Sequence, residues 1–402
     1  MQEPGEHVLV ADAFDEGDLF DLNVGLDYEL YGRTARVHRR GREVASYEHS
    51  VSRLVPRIEV GLYRDLAFVL RLPLVLSDSR ALRPPEGSPG IVLGAPGEPL
   101  LRLPFRAAER SGLEFLAVGL DAAPLSAVRG TGPFELRVGG ELRFALGDAM
   151  HACRQDAPDG EVACAHPGDV DRDGRRGPGE PDARGPVEAG ITRGTLGLEL
   201  HAAASRRIGA LEPFLRASLL VELPTSSIWD APTGGTGPAA PPAQIDGALG
   251  LAFVPWENRE RFSRFTVDGY TELELRTRGR DFAELFDALG TSSAPSLRQA
   301  VERSGVRAHA TGLEVVEEHA RIGLGTSVTW QPSLLVKIGA GLRLAWDTPH
   351  TITDEQPCGD DACAGSAPTN PAYREVLHGD AERFSVESAL TVAFGARGVV
   401  MF

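Results

Sequence analysis

The sequence has no run of eighteen or more apolar residues, so nothing in it can cross a bilayer as a hydrophobic helix. It has no cluster of basic residues either. Lys and Arg number 41 against 57 Asp and Glu, for a net charge of −16, and this disfavours nucleic acid, whose binding rests on neutralising phosphates. There is no G-x-S-x-G, no H-E-x-x-H and no Gly-rich phosphate loop, and the ten histidines are scattered, which leaves the common hydrolase classes without their signatures. The first residues, MQEPGEHVLVADAFDEGDLF, lack a basic segment followed by an apolar core. Two readings of that start compete: a cytoplasmic protein, or a mature form in which Met1 replaces a removed signal. Cysteine is scarce. Its four copies fall as two close pairs, Cys153 with Cys164 and Cys358 with Cys363, which suits local disulfides in an oxidising compartment. The spacings are not of the CxxC zinc type, and they leave the connectivity open.

What the chain does have is a period of two. Over Phe384 to Phe402 the even positions read Phe384, Val386, Ser388, Leu390, Val392, Phe394, Ala396, Gly398, Val400 and Phe402, while odd positions carry Ser385, Glu387, Thr391, Gly395 and Arg397. Successive side chains of a strand leave on opposite faces, so this is a strand with one apolar and one polar face. It is much longer than the ~5–6 residues usual in globular sheets. The same alternation recurs upstream. Leu22, Val24, Leu26 and Leu30 alternate with Asn23, Asp27 and Glu29; Leu70 and Leu72 flank Arg71; Leu136, Val138, Leu142 and Phe144 alternate with Arg137, Glu141 and Arg143. Leu215, Leu219, Leu249, Leu251 and Leu342 belong to further segments of this kind.

The closing segment, apolar on alternate residues and ending in Phe402, resembles the final strand of Gram-negative outer-membrane β-barrels. The resemblance implies an all-β fold: a twelve-stranded antiparallel up-and-down transmembrane β-barrel, with a helical segment in one external loop, located in the cell outer membrane among its lipids. A mean hydropathy of −0.14 does not oppose this, because only alternate residues of such strands meet lipid. Twelve segments can be counted, with short links after the second, sixth and tenth and long ones after every odd strand, as outer-membrane barrels show. Two stacked β-sandwiches would alternate as well, but would not be expected to space their links so regularly. The expected organisation is a short acidic periplasmic segment, 1–18, then one barrel domain, 19–402, with external loops at about 32–50, 77–112, 147–190, 224–243, 278–318 and 347–382. Tight turns are expected at Tyr63 to Asp65 and at Gln331 and Pro332. Outward aromatics would form two thin belts, Phe20, Phe134, Phe253, Trp330 and Phe402 at the inner end and Tyr28, Phe144, Trp346 and Phe384 at the outer.

The inward positions carry charge of both signs. Arg57, Glu59, Arg71, Arg137, Glu141, Arg143, Arg216, Glu272, Glu274, Lys337 and Arg343 are the expected lumen-lining residues. They would either line a pore of weak selectivity or pair across strands and fill it. The segment DVDRDGRRGPGE places Asp169, Asp171, Asp173, Arg175 and Glu180 at the D-x-D-x-D-G-x5-E spacing of a Ca²⁺ loop. No helical pattern flanks it, and Arg176 stands at a usually apolar position. An acidic solvated loop is the alternative, and no cofactor is required otherwise. Residues Asp281 to Leu289, with Phe282, Leu285, Phe286 and Leu289 at helical spacing and an Asp281/Glu284 capping pattern, predict a helix in an outer loop. Such a loop could fold into the mouth, pack on the rim or serve as a recognition surface. The function expected is a passive or narrow pore for small solutes, not an enzyme. The alternative is a structural or adhesive envelope component binding a protein partner through its outer loops; a lipid-modifying enzyme ranks last.

Overall fold

A computed structural model describes residues 21–63, 65–125, 133–155, 162–164, 188–229, 240–298, 301–303, 306–308, 310–357, 370 and 372–402. The acidic segment 1–18, Phe20, the calcium-type loop from Asp169 to Glu180, and Cys358 with Cys363 lie outside these residues.

The chain forms twelve antiparallel barrel strands. They are β1 (Leu22–Arg39), β2 (Arg42–Tyr63), β3 (Leu66–Arg71, resumed as Leu74–Arg83), β4 (Phe115–Leu125, preceded by Arg110–Leu113), β5 (Glu135–Ala145) and β6 (Thr195–Ser205). Then come β7 (Leu211–Pro224), β8 (Gln244–Asn258), β9 (Ser263–Arg276), β10 (His319–Ser333), β11 (Val336–Asp347) and β12 (Phe384–Met401). Each pairs with its neighbour in sequence, and β1 pairs with both β2 and β12, so the sheet closes on itself. Closure leaves no edge whose N–H and C=O groups would go unsatisfied in hydrocarbon.

Period two decides which face is which. Leu198, Leu249, Leu273, Leu324, Leu342 and Phe394 point away from the axis and are 43 to 62% exposed. A ring of such residues around a whole barrel far exceeds the apolar patch a protein in water tolerates. Val138 and Leu219 share this outer face, and Arg71, Arg137, Arg216 and Arg343 point inward among the lumen residues. Trp256, Trp330 and Phe402 are exposed near the inner end, and Phe144 and Trp346 near the outer.

Four expectations need correction. The expected loop 32–50 is a paired ribbon: β1 and β2 run on to a two-residue turn at Arg40 and Gly41, both at positive φ, the mirror-image turn that matches strand twist. Above the membrane its outer face meets water, so polar residues such as Thr34 and Glu48 occur there without ending the strand. The turn expected at Gln331 and Pro332 falls at Leu334 and Leu335, because a register shift after Trp330 absorbs the proline. Phe384 does not join the outer girdle. A bulge with Ser388 at φ 52° shifts the β1/β12 register, so Phe384 and Val386 turn inward and are fully buried, while Leu390 to Val400 keep the lipid-facing phase. The helix is also shorter than expected. It spans Phe286–Gly290 (α1), followed by Pro295–Arg298 (α2), since Asp281 and Glu284 are held by wall arginines rather than capping a first turn.

The outer connections fold together into a cap. Its core joins Ala35, Val37 and Tyr47 of the ribbon, Leu82 of β3, Leu100 and Leu101 of connection 84–109, Leu285, Leu289 and Leu297 of connection 277–318, and Ile352, Leu377 and Phe384. A smaller cluster adds Met150, Trp229, Phe286 and Leu313.

Candidate functional site

Among the described residues, three cavities with shared walls lie in the lumen under this cap. The first, about 700 Å³, lies beneath the cap and is lined by Arg33, Arg53, Arg80, Arg193, Glu274, Arg321 and, from connection 277–318, Asp281, Phe282 and Glu284. The second, about 480 Å³, shares Glu29, Arg53, Glu114, Arg193 and Arg276 with it. The third, about 490 Å³, lies toward the inner end, shares Arg57 and Arg71 with the second, and shares Tyr270 and Arg343 with the first.

Most lumen charges are engaged across strands. Arg71 of β3 holds Glu141 of β5 through Nε at 3.0 Å. Arg137 pairs with Asp121, Arg143 with Glu199 and Arg343 with Glu272, while Arg57 takes Glu59 of its own strand. Glu274 receives Arg276 at 2.5 Å and Arg321 at 3.3 Å. Asp121 also meets His201 Nε2 at 2.7 Å. Forked guanidinium–carboxylate pairs of this sort are strong where water is scarce.

Arg216 is different. It stacks over the Tyr270 ring at 4.6 Å and has no carboxylate within ion-pair distance among the described residues. Tyr270 can lie flat along the wall because Gly325 is beside it; a Cβ there would collide with the ring. Beside Arg216 the third cavity is walled by Ala203, Ser218 and Ala248, small residues that leave its volume open. Lys337 is buried near the inner end of β11, in register with Val399, and does not line the three cavities.

The roof is pinned to the wall by arginines. Glu284 takes Arg33 of β1 at 2.6 Å, and Arg33 also holds Asp347 of β11 at 2.7 Å. Asp281 takes Arg193 at 2.8 Å. Burial would push both roof carboxyls up, but the adjacent arginines outweigh it and hold them below the usual carboxylate range. Deeper in the cap, Asp287 takes the fully buried Arg110 at 2.5 Å and the Cys153 N–H at 3.0 Å. Cys153 and Cys164 are disulfide-bonded across a short ribbon, Cys153–Gln155 with Val162–Cys164. The ribbon through Arg33, the segment at Arg110 and the connection that carries Cys153 and Arg193 therefore converge on residues 281–297.

The expected lumen residues thus lie inside the barrel, with Lys337 apart from the cavities. The alternation around Leu196 and Leu198 puts Arg193 on the inward face, but sequence reasoning missed Arg33 and Arg321 as wall groups and Asp281 and Glu284 as partners of Arg193 and Arg33. The signal for Arg33 was present: it continues the inward series Glu29, Tyr31, Arg33.

No protein-family model and no curated protein matches this sequence. Solved structures similar to it include an outer membrane channel from Pseudomonas putida F1, at 9% identity over 100% of both chains with a TM-score of 0.45. The beta domain of the Bordetella autotransporter BrkA is 11% identical, with 94% of this chain and 99% of that chain covered and a TM-score of 0.38. A FadL homologue from Pseudomonas aeruginosa is 7% identical, with 95% and 90% covered and a TM-score of 0.35.

Proposed function

We propose that this outer-membrane β-barrel is a narrow pore for small solutes, closed at its outer mouth by connection 277–318. The observation that supports the reading is the series of polar cavities with shared walls, which ends at a roof held by Arg33–Glu284 and Arg193–Asp281. Arginines and carboxylates line these cavities in nearly equal number, so selectivity between anions and cations is weak. Arg216, held by a ring and not by a carboxylate, is the group best placed to meet a passing anion. The engagement of the lumen acids with arginines supports passage rather than catalysis.

Planar-bilayer recording tests this. The native barrel should give small, intermittent openings, and the Arg33→Ala, Glu284→Ala variant should raise their frequency severalfold. Arg216→Glu should move the reversal potential in a salt gradient toward cations. A silent bilayer with both the native barrel and the roof variant would overturn the pore. The buried core of the cap favours the second reading, an envelope component that presents its outer loops to a protein partner; silence together with saturable capture of a partner by the loops would support it.

A further inference from the structure

Outside the lumen, the upper parts of β1, β2 and β3 border a further cavity of about 1190 Å³, with Arg33, His49 and Arg80 in the wall between it and the first. Its lining brings together Arg83, Arg102, Arg106 and Arg154 with the apolar side chain of Val392, while Phe105, opposite Leu82, turns its ring to the cap core. The height of this cavity follows from register. Thr34 in its lining is opposite Leu390 of β12, and Leu390 is opposite Trp346 of β11, which is exposed in the outer girdle. The face follows in the same way. Arg106 is opposite Ala81, and Ala81 and Arg83 are two residues apart on β3, so Arg83 and Arg106 project from one side of the sheet. One carboxylate is present: Glu48 takes Arg83 at 2.8 Å. Arg102 and Arg106 make no ion pair among the described residues.

Three properties thus coincide: surplus fixed positive charge, a depth at the outer membrane–water boundary, and an apolar wall continuing through Val392 to Phe394 on the lipid-facing surface. We propose that this cavity binds the phosphorylated headgroup of an outer-leaflet glycolipid, with the acyl chains lying over Val392 and Phe394. Guanidinium forks match phosphate oxygens in pairs, and basic residues at this depth act on headgroups before salt screens them. The continuous apolar wall selects a phosphate carried on acyl chains over the free anion.

The test uses the full folded barrel in detergent, with native mass spectrometry reading retained lipid. The probes are a bis-phosphorylated glucosamine glycolipid, its dephosphorylated counterpart with the same acyl chains, and inorganic phosphate as competitor. The native barrel should retain the phosphorylated lipid about tenfold or more over the dephosphorylated one, and Arg102→Gln with Arg106→Gln should lower its retention by a similar factor, as expected for two surface basic groups. Heat-modifiable migration in gels reports that the variant barrel is closed. Equal retention of the two lipids by the native barrel, or undiminished retention by the closed variant, would overturn the proposal. So would displacement of the lipid by millimolar inorganic phosphate, which would make this a site for the free anion.

Discussion

The barrel wall and the cap use the same residues in opposite places. On the wall Leu324 is 51% exposed and the arginines face inward; in the cap Leu289 is 1% exposed and sits in an apolar interior. The solvent makes the difference. Around the wall it is hydrocarbon, which rewards outward leucine and forbids outward charge; around the cap it is water, which drives leucine inward. Arginine bridges the two regions, pairing with carboxylates inside the barrel as Arg71 does with Glu141 and inside the cap as Arg110 does with Asp287. One chain therefore holds two cores of opposite polarity, joined by a few ion pairs and by the tops of β1, β2 and β12. The cap should be able to loosen while the barrel stays intact.

The largest expected effect tests that separation. Leu285→Ala removes a fully buried cap side chain and should cost the cap ~2–5 kcal/mol. Hydrogen exchange across 281–316 should rise while the heat-modifiable migration of the barrel stays unchanged; a parallel loss of barrel stability would merge the two cores into one. On the wall the sensitive change is charge. Leu342→Arg should destabilise the barrel by ~2–4 kcal/mol in bilayer unfolding experiments and leave exchange in the cap as it was. If Leu342→Arg were neutral, the outer face would not be in hydrocarbon.

A smaller effect comes from pH. His319 and His350 stack at 3.7 Å beyond the outer girdle, each with its Nδ1 directed to a backbone carbonyl, Glu317 and Thr348. Burial first, and the neighbouring His350 second, push the His319 imidazole down to about 4. The opened chain then binds the proton more readily than the folded one, so folded stability is retained above the ordinary imidazole value of ~6.5 and falls as pH drops from there toward about 4. Exchange near 317–351 should accelerate over that window and His319→Gln should flatten the dependence; a profile unchanged by the substitution would assign the effect elsewhere. The smallest effect concerns calcium at Asp169 to Glu180, proposed from spacing alone. Calorimetry should give a weak heat with Kd of ~10⁻⁴–10⁻³ M, abolished in Asp171→Asn with Glu180→Gln; the same heat in the variant would reduce the loop to a run of acids.

The wall was legible in the sequence because lipid on one side and charge on the other enforce a strict period of two. Leu70, Val138 and Leu342 against Arg71, Arg137 and Arg343 needed no more than that alternation. The cap was not legible for the same reason in reverse. In the ribbon the inward Ala35, Val37, Ala45 and Tyr47 are small or mixed, and the outward residues are polar, so the contrast fades where the strands leave the membrane. The bulge at Ser388 escaped notice because apolar residues stand on both sides of it and its one-residue slip changes only which of them turn inward. For residues 281–289 the helical spacing was real but local. Glu284 and Asp281 are taken by Arg33 and Arg193, more than 80 residues away in the chain, and no local pattern announces such partners. The pairings inside the lumen were hidden likewise, because strand register and not composition decides which carboxylate each arginine meets.

The seam between β1 and β12 governs the order in which this protein can be assembled. Leu22 and Phe402 exchange backbone hydrogen bonds at 3.2 and 2.9 Å, and Arg397 meets Asp27 at 2.6 Å across 370 residues of chain. Every other backbone pairing of the wall joins strands adjacent in sequence and can form as hairpins. The seam alone must wait for both ends, so its loop-closure entropy falls on a single late step. Until then the sheet has two open edges, and in hydrocarbon each carries a row of unsatisfied backbone groups. Insertion and closure are therefore one event: a half-made sheet is expelled by the bilayer, and a closed one is held in it.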